Sequence, residues 1–169
     1  MIQPEHAVFT DMLQELVREG RRLWDPHLKG IVLFGSTVRQ LKRETDVDLL
    51  LVMEGLPPQR RARLELFDAL EERLASHLSR LRALGFHLEF SPLLRTPREA
   101  ARFSPLYLDM THCCRILLDQ DGLLARVLER TARYIEESGA HRVERGLYWY
   151  WVLKPGLKSG EEFEMGWAS

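Results

Sequence analysis

The chain has 169 residues, 45% of them hydrophobic, and its 24 Lys and Arg against 25 Asp and Glu leave a net charge of −1. That length allows one domain with a modest appendage and a core that needs no staples. The near-zero charge disfavours a broad nucleic-acid surface and leaves room for a local phosphate-binding patch. The two cysteines, Cys113 and Cys114, are adjacent, a spacing that rarely closes a disulfide. With His112 they form three consecutive residues, which cannot easily enclose a metal, so buried thiols are expected. No signal-peptide pattern or apolar run of membrane-spanning length is present, so the expected location is the cytoplasm, with no membrane partner.

Residues 5–24 carry Val8, Phe9, Met12, Leu13, Leu16, Val17, Leu23 and Trp24 at helical spacing, between Pro4 and Asp25-Pro26; an amphipathic first helix is expected. The run Ile31 to Phe34, bounded by Gly30 and Gly35, reads as a buried strand. Gly35 then permits a sharp turn, and Ser36 is expected to cap a short helix from Thr37 to Leu41. The N–H groups of such a helix start favour an anion, so the turn is a natural phosphate seat. A second strand opens on Asp46-Val47-Asp48. Its period of two puts both carboxylates on one face and Val47, Leu49 and Leu51 on the other. Their mutual repulsion is best relieved by a divalent cation, and hard oxygen donors suit Mg²⁺ or Mn²⁺.

Phe34-Gly35-Ser36, Arg39 three residues on, and Asp46-x-Asp48 resemble the signature of the nucleotidyltransferase superfamily that includes DNA polymerase beta. The closest resemblance is to the small stand-alone prokaryotic minimal nucleotidyltransferases, over residues 30–95. The resemblance implies an α/β (α+β) fold, a small mixed sheet flanked by helices, with residues 1–95 as the core and 96–169 as a helical and extended appendage. It implies transfer of a nucleoside monophosphate, AMP foremost, from an NTP, with ATP as the expected donor. Gly35, Ser36 and Arg39 would bind the nucleotide, and Asp46 and Asp48 would hold the metal. It also implies a third carboxylate on a later strand, commonly Asp; here Glu89 stands at that place. Many such enzymes modify a small helical toxin encoded beside them, which makes a protein acceptor and a toxin-antitoxin role the expectation to test. A small molecule or a nucleic-acid end are the other acceptors, the last not favoured by the charge.

Further along, Gly55-Leu56-Pro57-Pro58 marks a loop, and one long helix is expected over residues 59–83, with Leu64, Phe67, Leu70, Leu74, Leu78 and Leu81 on one stripe and Arg and Glu on a solvated face. After Gly85, residues 86–90 alternate as a strand with His87 and Glu89 on one side; His87 reads as a surface or packing histidine. Thr96-Pro97-Arg98-Glu99 has the form of a helix start, Ser104-Pro105 starts another, and Ile116 to Leu118 is strand-like. An amphipathic helix follows over 123–138, stopped by Gly139. The aromatic run Tyr148 to Trp151 leads into Leu153-Lys154-Pro155 and reads as an extended segment docked on the body or on a partner, a second copy in a homodimer included. Lys154 or the rings meeting a nucleotide is the less favoured reading. From another class, the chain would be a catalytically idle nucleotide-binding or interaction module, a reading that Glu89 in place of Asp encourages.

Overall fold

The computed structural model describes residues 3–146, 148–158 and 160–167; of the aromatic tail, Leu147 and Ser159 lie outside them. The first helix, α1 (Pro4–Trp24), opens on a proline and turns Val8, Phe9, Met12, Leu13 and Leu16 inward. Two strands follow, β1 (Leu28–Phe34) and β2 (Glu44–Met53), antiparallel and in register from Gly30 opposite Val52 to Phe34 opposite Asp48. The chain between them makes a 3-10 turn over Ser36–Val38. This corrects the helix expected to Leu41: Arg39 and Gln40 both donate their N–H to Ser36 O, and the chain must then extend to enter β2 at Glu44. Gly35, and not Ser36, occupies the capping position, with no side-chain cap.

The long helix is two helices, α2 (Arg60–Arg73) and α3 (Ala75–Ala83). Leu74 between them leaves helical geometry at ψ −1°, its N–H donating to Glu71 O and Glu72 O. The bend keeps the apolar stripe on a curved core, since Leu70, Leu74 and Leu81 are fully buried. Gly85 then turns the chain at φ 83°, and β3 (His87–Arg95) runs parallel to β2. The strand continues through Pro92, tolerated because β3 lies at the sheet edge, where a missing N–H costs no ladder bond. The short helices α4 (Pro97–Ala100) and α5 (Pro105–Met110) follow, the first closed by a reciprocal capping box between Thr96 and Glu99. Next come β4 (Cys114–Asp119) and α6 (Leu123–Ser138), the helix ending at Gly139 with φ 70°. The aromatic run is β6 (Tyr148–Val152), paired antiparallel with β5 (His141–Arg145), a strand that the sequence pattern did not disclose.

Among the described residues the main sheet has the order β3-β2-β1-β4, with β4 antiparallel to β1. It is a mixed sheet with helices on both faces. On one face Leu33, Val47, Leu49 and Leu51 meet Met12 and Leu16 of α1 and Phe67, Leu70 and Leu81 of α2 and α3. On the other, Val32, Leu50 and Val52 meet Ala100, Tyr107, Met110, Leu124 and Val127. Gly30 is what lets α6 lie flush on β1, because a Cβ there would land on Leu124. The second face is covered only over the C-terminal half of β2. On that face Leu50 and Val52 are wholly buried, Asp48 is half-buried and Asp46 exposed, so the acidic end of the strand is left open.

Candidate functional site

The open end of β2 is where the sequence motif comes together. Asp46 and Asp48 share one strand face, with the buried Val47 between them on the other. Across the sheet, Asp46 is in register with Glu89 and Asp48 with Ser91 on β3, and Asp48 is opposite Phe34 on β1. The three carboxylates therefore lie on the same sheet face. Among the described residues no three His, Cys, Asp or Glu side chains gather into a group that could hold a metal; Glu89 stands beside Asp46 across the β2–β3 ladder. His87 is exposed, one strand residue pair further out, opposite Glu44.

Gly35 presses directly on Asp48. At φ 77° and ψ −160° its backbone is in a region that L side chains avoid, and a Cβ there would land on the Asp48 Oδ2. Only glycine allows the turn to approach the carboxylate this closely. Ser36 follows, its Oγ 3.4 Å from Thr45 Oγ1 on β2, so the turn and the acidic strand are tied by a hydroxyl contact. Burial pushes the Asp48 carboxyl above its ordinary range, and the charge of Asp46 pushes the same way; the Ser91 hydroxyl opposes them by hydrogen bonding. Two repelling carboxylates, one half-buried, make a set of hard oxygen donors that fits a divalent cation such as Mg²⁺ or Mn²⁺.

These residues form one wall of a cleft of about 340 Å³ lined by Phe34, Gly35, Ser36, Arg39 and Asp48. The rest of its lining is C-terminal: Asp109 and Met110 at the end of α5, His112 and Cys113 just after it, and Arg142 and Trp149 from the β5–β6 hairpin. Asp109 pins the hairpin, its Oδ1 accepting from Trp149 Nε1 at 3.1 Å and from Trp151 Nε1 at 3.0 Å. His112 stacks on Trp151 with ring centroids 5.2 Å apart. Both cysteines are free and half-buried; burial raises the Cys114 thiol's pKa, as expected for an inert packing thiol. Lys154 lies 5.8 Å over the Phe163 ring, a packing contact within the tail. Asp109 and Arg142 were not singled out from sequence. The signal nearest to them was the aromatic run, whose docking partner is Asp109.

The nucleotidyltransferase domain model matches residues 13–104, more than half of the chain, from within α1 to the residue before α5. A Methanocaldococcus jannaschii protein, provisionally named a protein adenylyltransferase, is 26% identical over 129 residues, which is 75% of this chain and 82% of that protein. A chain of a toxin–antitoxin crystal structure with AMP-PNP is 18% identical over 72% of this chain and 86% of its own, with a TM-score of 0.45. A chain of the Shewanella oneidensis complex of a tri-AMPylated HEPN toxin with the MNT antitoxin is 17% identical over 75% and 92%, with a TM-score of 0.40. The family match, on a strand–turn–strand unit that joins Gly35 to Asp48, places this chain in the nucleotidyltransferase domain family.

Proposed function

We propose that this nucleotidyltransferase moves AMP from ATP onto a protein side chain, and that Asp46 and Asp48 with the Gly35-Ser36 turn are its centre. The observation that carries the reading is the packing of Gly35 on Asp48, which sets the Gly35-Ser36 turn against a carboxylate in one cleft, with Asp46 on the same strand face just beyond it. The protein acceptor rests on the name of the archaeal relative. A small helical, toxin-like partner is the form of acceptor that the family resemblance suggests.

In this reading the backbone N–H groups at Ser36 and Thr37 and the Ser36 hydroxyl receive the terminal phosphates, where a turn N-terminus favours negative charge. Arg39, which lines the cleft, adds a cation. Asp46 and Asp48 would hold Mg²⁺ or Mn²⁺, with Glu89 as the third carboxylate on the neighbouring strand. When bound, the cation neutralises the triphosphate and lowers the cost of charge development at the α-phosphorus. The acceptor oxygen forms a bond to the α-phosphorus while the bond to the bridging oxygen breaks, and pyrophosphate leaves. The acceptor proton leaves to solvent or to a carboxylate oxygen at the strand end that the cation does not occupy. The rest of catalysis is positioning in a half-enclosed cleft.

The reading is tested by incubating the protein with ATP, Mg²⁺ and candidate acceptor proteins. Pyrophosphate release together with an AMP mass increment on the acceptor is expected; nucleotide binding without either product would reject transfer.

A further inference from the structure

The hairpin β5–β6 is unexpectedly placed for a C-terminal embellishment, because one of its faces forms a wall of the nucleotide cleft. Antiparallel register sets Arg142 opposite Trp151 and Glu144 opposite Trp149, so all four side chains share that face. The Arg142 guanidinium lies 4.8 Å from the Trp149 ring centroid, in cation–π range. Its side chain is only 15% exposed, and its charge is met by Glu144 at 3.3 Å, a carboxylate that is itself 70% exposed. Its Nε is buried with no hydrogen-bond partner among the described residues. A partly buried guanidinium that lines the cleft, with its Nε N–H unbonded beneath the surface and only a weak, solvent-screened counterion, has terminal N–H groups left to bind an anion from the cleft side. A phosphate group would complete it, because the guanidinium fork matches phosphate oxygens.

We propose that Arg142 is a second phosphate-recognising cation, supplied by the hairpin across the cleft from the Ser36 turn and Arg39, and that Trp149 positions its guanidinium. The proposal rests on the reading of the cleft as the nucleotide site. Arg39 and Arg142 then hold the donor triphosphate from both walls, and the hairpin makes the cleft selective for triphosphates over shorter phosphate chains. Trp149 holds the Arg142 guanidinium against its ring face, while Asp109 keeps the hairpin in place through both indoles.

Calorimetric titration of the full chain with ATP, ADP and inorganic triphosphate in Mg²⁺ buffer tests this. Arg142→Gln should weaken ATP and triphosphate by about tenfold or more, with a smaller effect on ADP. Glu144→Gln, at an exposed position, should tighten triphosphate binding about twofold by releasing the guanidinium. Trp149→Ala should weaken triphosphate binding and Trp149→Phe should restore it, a rescue that loss of a merely structural indole hydrogen bond would not give. Wild-type affinity in a folded Arg142→Gln would overturn the proposal, and if that variant fails to fold, wild-type affinity in Glu144→Gln would do so. Arg39→Gln separates the two levels. If it weakens ATP while Arg142→Gln does not, only the role of the hairpin falls; if the wild-type protein binds neither ATP nor triphosphate, the reading of the cleft falls with it.

Discussion

Two residues set the character of the site by being in contact. Gly35 has no Cβ, and the space that a Cβ would need is filled by the Asp48 carboxylate. Gly35→Ala combines a strained left-handed backbone with that overlap and should cost about 1 kcal/mol or more in stability. Its larger effect should be on nucleotide affinity, read by titration with ATP on protein shown to be folded. Asp48 carries the opposite lesson. Its folded-state pKa is raised by burial and by Asp46, so its favourable contribution to stability is present below the unfolded pKa and lost as pH rises through the folded value. At neutral pH the ionised side chain therefore opposes folding. Asp48→Asn should unfold at a higher temperature than the wild type at pH 7 in the absence of divalent ions, with the difference vanishing at acid pH. Thermal melts across that range check it, and an Asp48→Asn that melts lower at pH 7 would contradict it.

At the scale of elements, the scaffold around the site is fastened by Arg63. From α2 it donates to Pro57 O at 2.6 Å, to Leu94 O at 3.1 Å on β3, and bidentately to Glu99 at 2.8 and 2.9 Å on α4. Glu99 in turn accepts from the Thr96 N–H, so one ion pair joins the loop after β2, the sheet edge and the helix that starts the second layer. Arg63→Ala should cost about 2 kcal/mol, since it strands a carboxylate and two carbonyls at once. The hydrogen bonds from Arg63, with the Thr96 contacts, hold the Glu99 carboxyl down at about 2. A lowered folded pKa gives stability that is present above the ordinary value of 4.5 and is lost as pH falls through about 2. Glu99→Gln should flatten the acid-side loss of stability in that window, by a modest amount because the Glu99 side chain is 40% exposed. Denaturant titrations at several acid pH values read the slope. The capping box at Thr96 was legible in sequence because it is local chemistry within one turn. The break at Leu74 was not, because neither Gly nor Pro marks it and the curvature of the packed sheet dictates it.

At the scale of the whole molecule, one sheet face serves two purposes. Its inner part, with Val32, Leu50 and Val52, is roofed by α4, α5 and α6, and its outer part is left open with Asp46, Asp48 and Glu89 on it. The first wall of the cleft could be read from sequence because Phe34 to Asp48 is a single strand–turn–strand unit whose residue types and period state the geometry. The second wall could not. Asp109 meets Trp149 across 40 residues of chain, and Arg142 faces the cleft through its cross-strand neighbours, which no spacing announces. The fold thus joins a local strand–turn–strand unit to a C-terminal wall of its own. The most direct measurement of the central claim is transfer of labelled AMP from ATP in Mg²⁺ by the wild-type chain and by the double variant Asp46→Asn, Asp48→Asn, with folding of both verified by thermal melts. Transfer by the wild type and none detectable from the folded double variant is the expected result; undiminished transfer by the double variant would contradict it.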